Sequence, residues 1–452
     1  MKVLIWTFLI VLPIFAASHA YESLSLDKAI EILKKDNLEV NVARFNEQIK
    51  EYEYELVNAQ NYGKLDFIQT AMRSNDAGNV FGFKLQSREA SFGDFGFSEF
   101  DGTNPNILNV QPKDLNYPDA RNHFQTKLKY QVPIYTGGKL EQYGKITKAL
   151  QKLAILDTQK IFSEKLYQLK KSYFDIYLLD TYRHNLNIIN KNMIKLENMA
   201  RAMIDEGYAK KVDLLEVQSK KANVIRMTKK AEANKELVYH FISFLLNKKV
   251  KSISGSVNEI ELKNYKMEDI LNSNLDIKKA KQGLSITKMA IDLSKATNLP
   301  EIGAFAELSS ADNTFLGDFV DHDAYTFGVQ FKWNIFDGGA SSNSIEKARV
   351  ENLKVQEQVK LAKNGITLQV RKIRTEIKSY DFDIDSLSKE LELTRSIYKN
   401  YLGRYQEKLV SINDVIIKQS IEIEKVLKLN EVQNSRTAKI LELDKIANGD
   451  KK

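Results

Sequence analysis

Gln131-Val132-Pro133-Ile134-Tyr135-Thr136-Gly137-Gly138 and Lys332-Trp333-Asn334-Ile335-Phe336-Asp337-Gly338-Gly339 are two versions of one stretch. Each ends a run of strand-like alternation and opens a very long run of helical spacing. Gly138 and Gly339 lie 201 residues apart. Gly207-Tyr208-Ala209-Lys210-Lys211-Val212-Asp213 and Lys408-Leu409-Val410-Ser411-Ile412-Asn413-Asp414 keep the same offset of 201 residues. Two landmarks with one spacing mark an internal duplication, which governs the fold before any local motif does.

Upstream of each Gly-Gly pair the sequence alternates. Phe124, Thr126, Leu128, Tyr130 and Val132 face one way; Gln125, Lys127, Lys129 and Gln131 face the other. The second copy is sharper: Tyr325, Phe327, Val329, Phe331, Trp333 and Ile335 alternate with Thr326, Gly328, Gln330, Lys332 and Asn334. One such strand is more commonly part of a half-buried sheet in a soluble protein. Two in register, about ten residues long with aromatic apolar faces, point to membrane strands with a lipid-facing side. Lys127, Lys129 and Lys332 then place positive charge on the other face.

The chain has 452 residues, 43% of them hydrophobic and 28% charged. That is ordinary globular composition, with ample material for a core. Zero cysteines exclude disulfides, thiolate metal sites and cysteine lipidation. The net charge of +8 is dispersed without a dense basic block, so no nucleic-acid partner is expected. Lys2, an apolar run to Ala17 and the small-x-small Ser18-His19-Ala20 read as a signal peptide over 1–20. The exported chain has no other apolar run near the ~20 residues of a membrane helix, which leaves a closed β-barrel as the way across lipid.

Leu24 to about Gln60 has helical spacing, and Leu65–Arg73 reads as a weak strand. Residues 74–122 form a long connection rich in Gly, Asn, Asp and Phe, within which Val80–Leu85 can extend the strand or pack as a short element. Helices then run from Leu140 to about Glu206 and from Ala340 to about Glu407, each roughly 100 Å at ~1.5 Å per residue. Tyr182, Leu186, Ile189, Met193, Leu196, Ala200 and Met203 form an apolar seam in the first. Ile366, Val370, Ile373, Ile377, Tyr380, Ile384, Leu387, Leu391, Thr394, Tyr398, Tyr401 and Tyr405 form the seam of the second, in coiled-coil steps of four and three. Shorter helices return over Val212–Asn247 and Ser411–Ile446. Leu26–Asn61 and Lys266–Asn298 complete the helical set. The chain thus divides into a first repeat, 21–248, a linker, 249–264, a second repeat, 265–447, and a polar tail, 448–452.

This order resembles the TolC family of outer-membrane efflux and secretion channels. The paired Pro-Ile-Tyr-x-Gly-Gly and Asn-Ile-Phe-x-Gly-Gly stretches at matched spacing carry the resemblance over nearly the whole exported chain. It implies a mixed α and β membrane protein in the outer membrane of a Gram-negative bacterium, extending into the periplasm. Four strands per subunit would contribute to a trimeric transmembrane β-barrel. Long antiparallel coiled-coil helices would form a periplasmic α-barrel. The implied partners are two further copies of the chain, a periplasmic adaptor, an inner-membrane efflux or secretion transporter, and outer-membrane lipid. The implied function is a passive, gated exit duct. The competing reading is an exported coiled-coil adaptor or scaffold, against which the duplication and paired aromatic strands speak.

Five scattered histidines, no phosphate loop and no nucleophile elbow give no catalytic, cofactor or metal site. Asp213 and Asp414 fit helix-capping patterns with Glu216 and Ser411. The resemblance adds gating roles: Asp213 bonded to Tyr405, and Asp414 lining the constriction as a ring of negative charge. It makes Gly207, Tyr208, Ala209, Lys408, Leu409 and Val410 the adaptor-docking positions. The lipid-facing residues are Leu128, Tyr130, Val132, Phe327, Val329, Phe331 and Trp333. Three departures are visible: Val410 replaces a gate arginine, Ile417 replaces a second acidic ring, and Lys408 replaces the turn glycine. A gate with fewer polar ties is expected.

Overall fold

The computed structural model describes residues 23–254, 260–317 and 320–448. The signal peptide expected over 1–20 lies outside these residues, as do 255–259 of the linker and 449–452 of the tail. The elements are α1 Leu26–Asp36, α2 Leu38–Ala59, β1 Lys64–Ser74, α3 Ala77–Gln86, α4 Lys113–Asn116, β2 Arg121–Tyr135, α5 Lys139–Asp205 and α6 Lys211–Leu246. They continue with α7 Met267–Ser273, α8 Leu275–Ala296, β3 Glu301–Asp312, β4 Asp323–Lys332, α9 Ala340–Gln406 and α10 Ile412–Ala447. The lengths pair off: α5 and α9 have 67 residues each, α6 and α10 have 36, α2 and α8 have 22. Two compact units result.

One unit comprises Gln48–Lys152 and Gln282–Gln356. Its centre is an antiparallel sheet in the order β1-β2-β3-β4. The register aligns Phe67 with Leu128, Leu128 with Leu308, and Leu308 with Tyr325. Directly opposed residues share a face, so these side chains form one apolar surface. After β2, Gly137 and Gly138 take φ +64 and +83; before α9, Gly338 and Gly339 take +66 and +87. Only glycine enters that region without strain, which is why the pair marks the entry to each long helix. A Cβ on Gly137 would also lie 2.7 Å from the Ala296 carbonyl oxygen.

The other unit comprises Met1–Glu47, Leu153–Lys281 and Glu357–Lys452, and its described residues carry helices and one bridge between Leu24 and Ile253. One core joins Leu33 of α1, Leu169 and Tyr173 of α5, and Leu245 of α6. Its counterpart joins Ile270 of α7, Val370, Ile373 and Ile377 of α9, and Ile440 of α10. A third packs Leu186, Met193 and Leu196 of α5 with Val217 of α6, Tyr398 and Tyr405 of α9, and Val415 of α10.

The structure corrects two helix readings. Leu26–Asn61 is not one helix, because Asn37 adopts extended backbone between α1 and α2. Its Oδ1 accepts from Val40 N–H at 3.0 Å, and its Nδ2 donates to the Leu245 carbonyl at 2.7 Å. Lys266–Asn298 breaks likewise at Asn274, whose Oδ1 accepts from Ile277 N–H at 3.1 Å while Nδ2 donates to Ile446 O at 3.0 Å. Each asparagine is buried, caps one helix and ties down a late carbonyl of another. Residues 74–122 are folded as well, with α3 over the stretch Val80–Leu85.

Candidate functional sites: the sheet faces and the two turns

In the sheet, Leu128, Tyr130, Val132, Phe327 and Val329 share the apolar face, as does Phe331 through Ile302. All but Val132 are exposed, with Phe327 at 76%. β4 ends at Lys332, one residue short of Trp333, whose indole N–H donates to the Asn298 carbonyl at 3.0 Å. Leu65 and Phe67 of β1 and Leu308 of β3 enlarge the face. Sequence reasoning missed them because β1 also carries Ile68 and Met72 on its other side, and the alanines of β3 blur the alternation.

The opposite face is polar. Asp66, Lys129, Glu307 and Thr326 lie in one register row, and Lys127 pairs with Glu307 at 3.0 Å. Lys332 stands opposite Glu301, which also pairs with Lys139. The positive charge expected on this face is thus largely offset by carboxylates. Phe305 on this face lies against Gly328, where a Cβ would come within 2.8 Å of its ring, so an aromatic side chain covers the bare glycine across the strands.

In the helical unit, the α5–α6 turn closes with Tyr208 N–H donating to Met203 O at 2.7 Å, and the α9–α10 turn with Leu409 N–H donating to Arg404 O at 2.8 Å. Both are helix-end motifs that need a left-handed residue. Gly207 supplies it at φ +80, Lys408 at φ +60. The two turns take one backbone shape with and without glycine. Asp213 accepts from Lys210 N–H at 2.8 Å, and Asp414 from Ser411 N–H at 3.0 Å. Each aspartate is the third residue of its helix and closes a capping box back to the residue before the helix; the Ser411–Asp414 pattern forms as expected, whereas Asp213 pairs with Lys210 and not in the expected pattern with Glu216. Ser411 holds the Asp414 carboxyl below its ordinary value, chiefly by its hydroxyl bond.

Asp213 and Tyr405 are not hydrogen-bonded to each other in this structure. Tyr405 is buried and its hydroxyl has no partner among the described residues. Burial, and then the charge of Asp213, push the phenol upward. Val410 packs beside the third core and Ile417 is exposed. Tyr208, Leu409 and Lys408 are exposed, while Ala209 is half-buried.

Sequence reasoning missed the tie between the turns. Lys408 Nζ lies 3.1 Å from Glu206 and 3.5 Å from the centre of the Tyr208 ring. It is an ion pair and a cation–π contact in one. The expected lack of polar ties is therefore partly made good by the residue that replaced glycine. A second missed group is Glu197, which accepts from Lys221 at 2.7 Å, Arg201 at 2.7 Å and Gln218 at 3.1 Å. A Glu amid lysines on a helix looks like a solvated face in sequence.

Residues 267–449 match the family described as outer membrane efflux protein. Solved structures share the fold over nearly the full chain. CusC, reported with conformational changes in transmembrane channel formation, superposes with a TM-score of 0.78 at 13% identity, covering 94% of this chain and 92% of its own. The Campylobacter jejuni CmeC outer membrane channel gives 0.73 at 13% identity, over 95% and 89%. The open state of the Neisseria gonorrhoeae MtrE outer membrane channel gives 0.74 at 13% identity, over 93% and 88%. A search of curated protein sequences returned no significant match. The second half thus carries an outer membrane efflux protein domain, and the chain as a whole shares the fold of these channels. Both findings agree with the exit-channel reading and not with the exported scaffold.

Proposed function

We propose that the chain is one subunit of a homotrimeric outer-membrane exit duct, serving a tripartite efflux pump or a type I secretion system. The sheet carries this reading: four strands, one apolar face, one polar face, and two edges, β1 and β4, that pair with no further strand among the described residues. Among the described residues no helix is long and apolar enough to cross a membrane. A sheet crosses lipid only when its edges close, and four strands are too few to close alone. Three copies give twelve strands, with the apolar face toward lipid and the polar face toward water. The equal lengths of paired elements support a duplicated chain.

The long helices continue the duct into the periplasm. The two turns are its gate and its docking surface. Asp213 holds its turn through the Lys210 N–H and Tyr405 through the packing of its ring, and three copies of Asp414 form a ring that favours cations. Gly207, Tyr208, Ala209, Lys408, Leu409 and Val410 meet the periplasmic adaptor. Energy comes from the inner-membrane transporter, and the duct itself catalyses nothing. Outer-membrane fractions should yield a trimer that falls to monomer only on heating, and the purified protein should conduct ions across a planar bilayer. A monomer released by carbonate ends the reading.

A further inference from the structure

The connection between β1 and β2, residues 75–120, is a built structure. Asp76 caps α3 by accepting from Asn79 N–H at 3.0 Å. Lys84 pairs with Asp94, which also accepts from Ser91 N–H at 2.7 Å. That tie brings Phe95 edge-on to Phe81, with ring centres 5.0 Å apart. Farther along, Glu99 accepts from the backbone N–H groups of Lys113 and Asp114, each at 2.9 Å. Gly96 sits at φ +89 against Pro112, where a Cβ would meet Cγ at 2.4 Å.

The segment covers one face of the sheet. Phe83 stacks on His123 with centres 4.2 Å apart and planes at 4°. Gln125 donates to Gln86 at 3.4 Å, and Arg121 donates to Ser87 at 3.1 Å and pairs with Glu89. Arg121, His123 and Gln125 alternate with the apolar-face residues of β2, so they belong to the polar face with Lys127 and Lys129. By contrast, Phe315 of the β3–β4 connection packs on Phe124, which lies on the apolar face. The covered region is the end of the sheet remote from the Gly-Gly turns.

The outer surface of this segment is aromatic. Phe92, Phe97 and Phe100 are 82%, 62% and 58% exposed, and Phe97 lies 6.1 Å from Phe92 and 6.5 Å from Phe100. A cluster of that kind on the water-filled side of a barrel is unfavourable unless something covers it. The segment springs from β1, an edge that must pair with the next copy. We propose that the three copies of residues 75–120 meet through Phe92, Phe97 and Phe100 and form an aromatic constriction at the outer mouth of the duct. The occupant of each patch is a second copy of this chain. Such a seal delays bulky charged solutes and yields to cargo that can part or wet it. The inference rests on the exit-duct reading.

The chain lacks cysteine, so single thiols report cleanly. In the trimer, Phe97→Cys should form inter-subunit disulfides under mild oxidation. A thiol placed deeper on the polar face by Gln330→Cys should react slowly with a charged maleimide added outside intact cells. Adding Phe92→Ser, Phe97→Ser and Phe100→Ser to Gln330→Cys should speed that labelling about tenfold, and this readout does not depend on the periplasmic gate. Equal labelling rates, or a Phe97→Cys trimer that cannot be cross-linked, overturn the constriction while leaving the duct intact. A chain that never forms the heat-sensitive trimer fails the duct reading and takes this inference with it.

Discussion

Near the α5–α6 turn, Glu197, Gln218 and Lys221 form a charged node. The offset of 201 residues that separates the two Gly-Gly pairs leads from these to Tyr398, Gln419 and Glu422 of α9 and α10. The first node is satisfied: hydrogen bonds from Lys221, then Arg201 and Gln218, hold the Glu197 carboxyl at about 2. The second is not. Tyr398 is buried with no partner for its hydroxyl, and burial followed by the charge of Glu422 pushes the phenol upward. Gln419 donates to Glu422 at 2.8 Å, but its own Oε1 is unpartnered, and Arg395 stands 3.4 Å from Glu422. Unmet buried polar groups lower the cost of leaving a packing arrangement. Within the duct reading, the α9–α10 end is the side expected to move when the gate opens.

The largest effect should come from breaking the satisfied node. Glu197→Gln is expected to cost about 1–2 kcal/mol at neutral pH, below the full value of the shift because Arg201 is half in solvent. The folded pKa is depressed, so this stability is present above the ordinary glutamate value of 4.5 and is lost as pH falls toward about 2. Thermal unfolding of the detergent-solubilised protein should show wild type and variant converging over that window. Parallel curves down to low pH would remove Glu197 as the source of the difference.

A smaller change is expected at the turns, where Gly207 and Lys408 make one backbone shape in two ways. Lys408→Met keeps the aliphatic stem but removes the contacts to Glu206 and Tyr208. Open probability in planar bilayers should rise about two- to fivefold, and high salt should give wild type part of the same gain. Lys408→Gly relieves the left-handed backbone yet loses the same tie, so its turn should be more stable and its gate looser. If Lys408→Met gates like wild type, the tie has no role in closure.

The halves also show where sequence reasoning reaches. The alternation of Phe327, Val329 and Phe331, the glycine pairs and the capping aspartates were legible, because each is a local pattern with a local cause. Asn37 and Asn274 were not, since helical spacing runs on through both positions. Their one local sign is an asparagine followed by Leu-Glu or Leu-Asp, an N-cap with an acid in the first turn. The Lys408–Glu206 pair joins residues about 200 apart and has no local trace. The placement of α3 on the polar face follows from strand register, which composition does not reveal.

Glu422→Gln tests the poorer node. It keeps a partner for Gln419 and removes a buried charge, so its cost should stay below about 1 kcal/mol, less than that of Glu197→Gln. Equal losses at the two positions would mean that both halves are held alike, and the asymmetry of the tips would carry no mechanical meaning.

The smallest effect is expected at Tyr405. Its hydroxyl is buried and unpartnered, so Tyr405→Phe removes an unmet polar group and leaves the apolar packing of the ring in place. Stability should be unchanged or raised by up to about 1 kcal/mol. Open probability should match wild type, because Asp213 already spends its carboxylate on the Lys210 N–H at 2.8 Å. A Tyr405→Phe channel that opens several times more often would show that the assembled trimer draws Asp213 and Tyr405 into a bond which the single chain does not make.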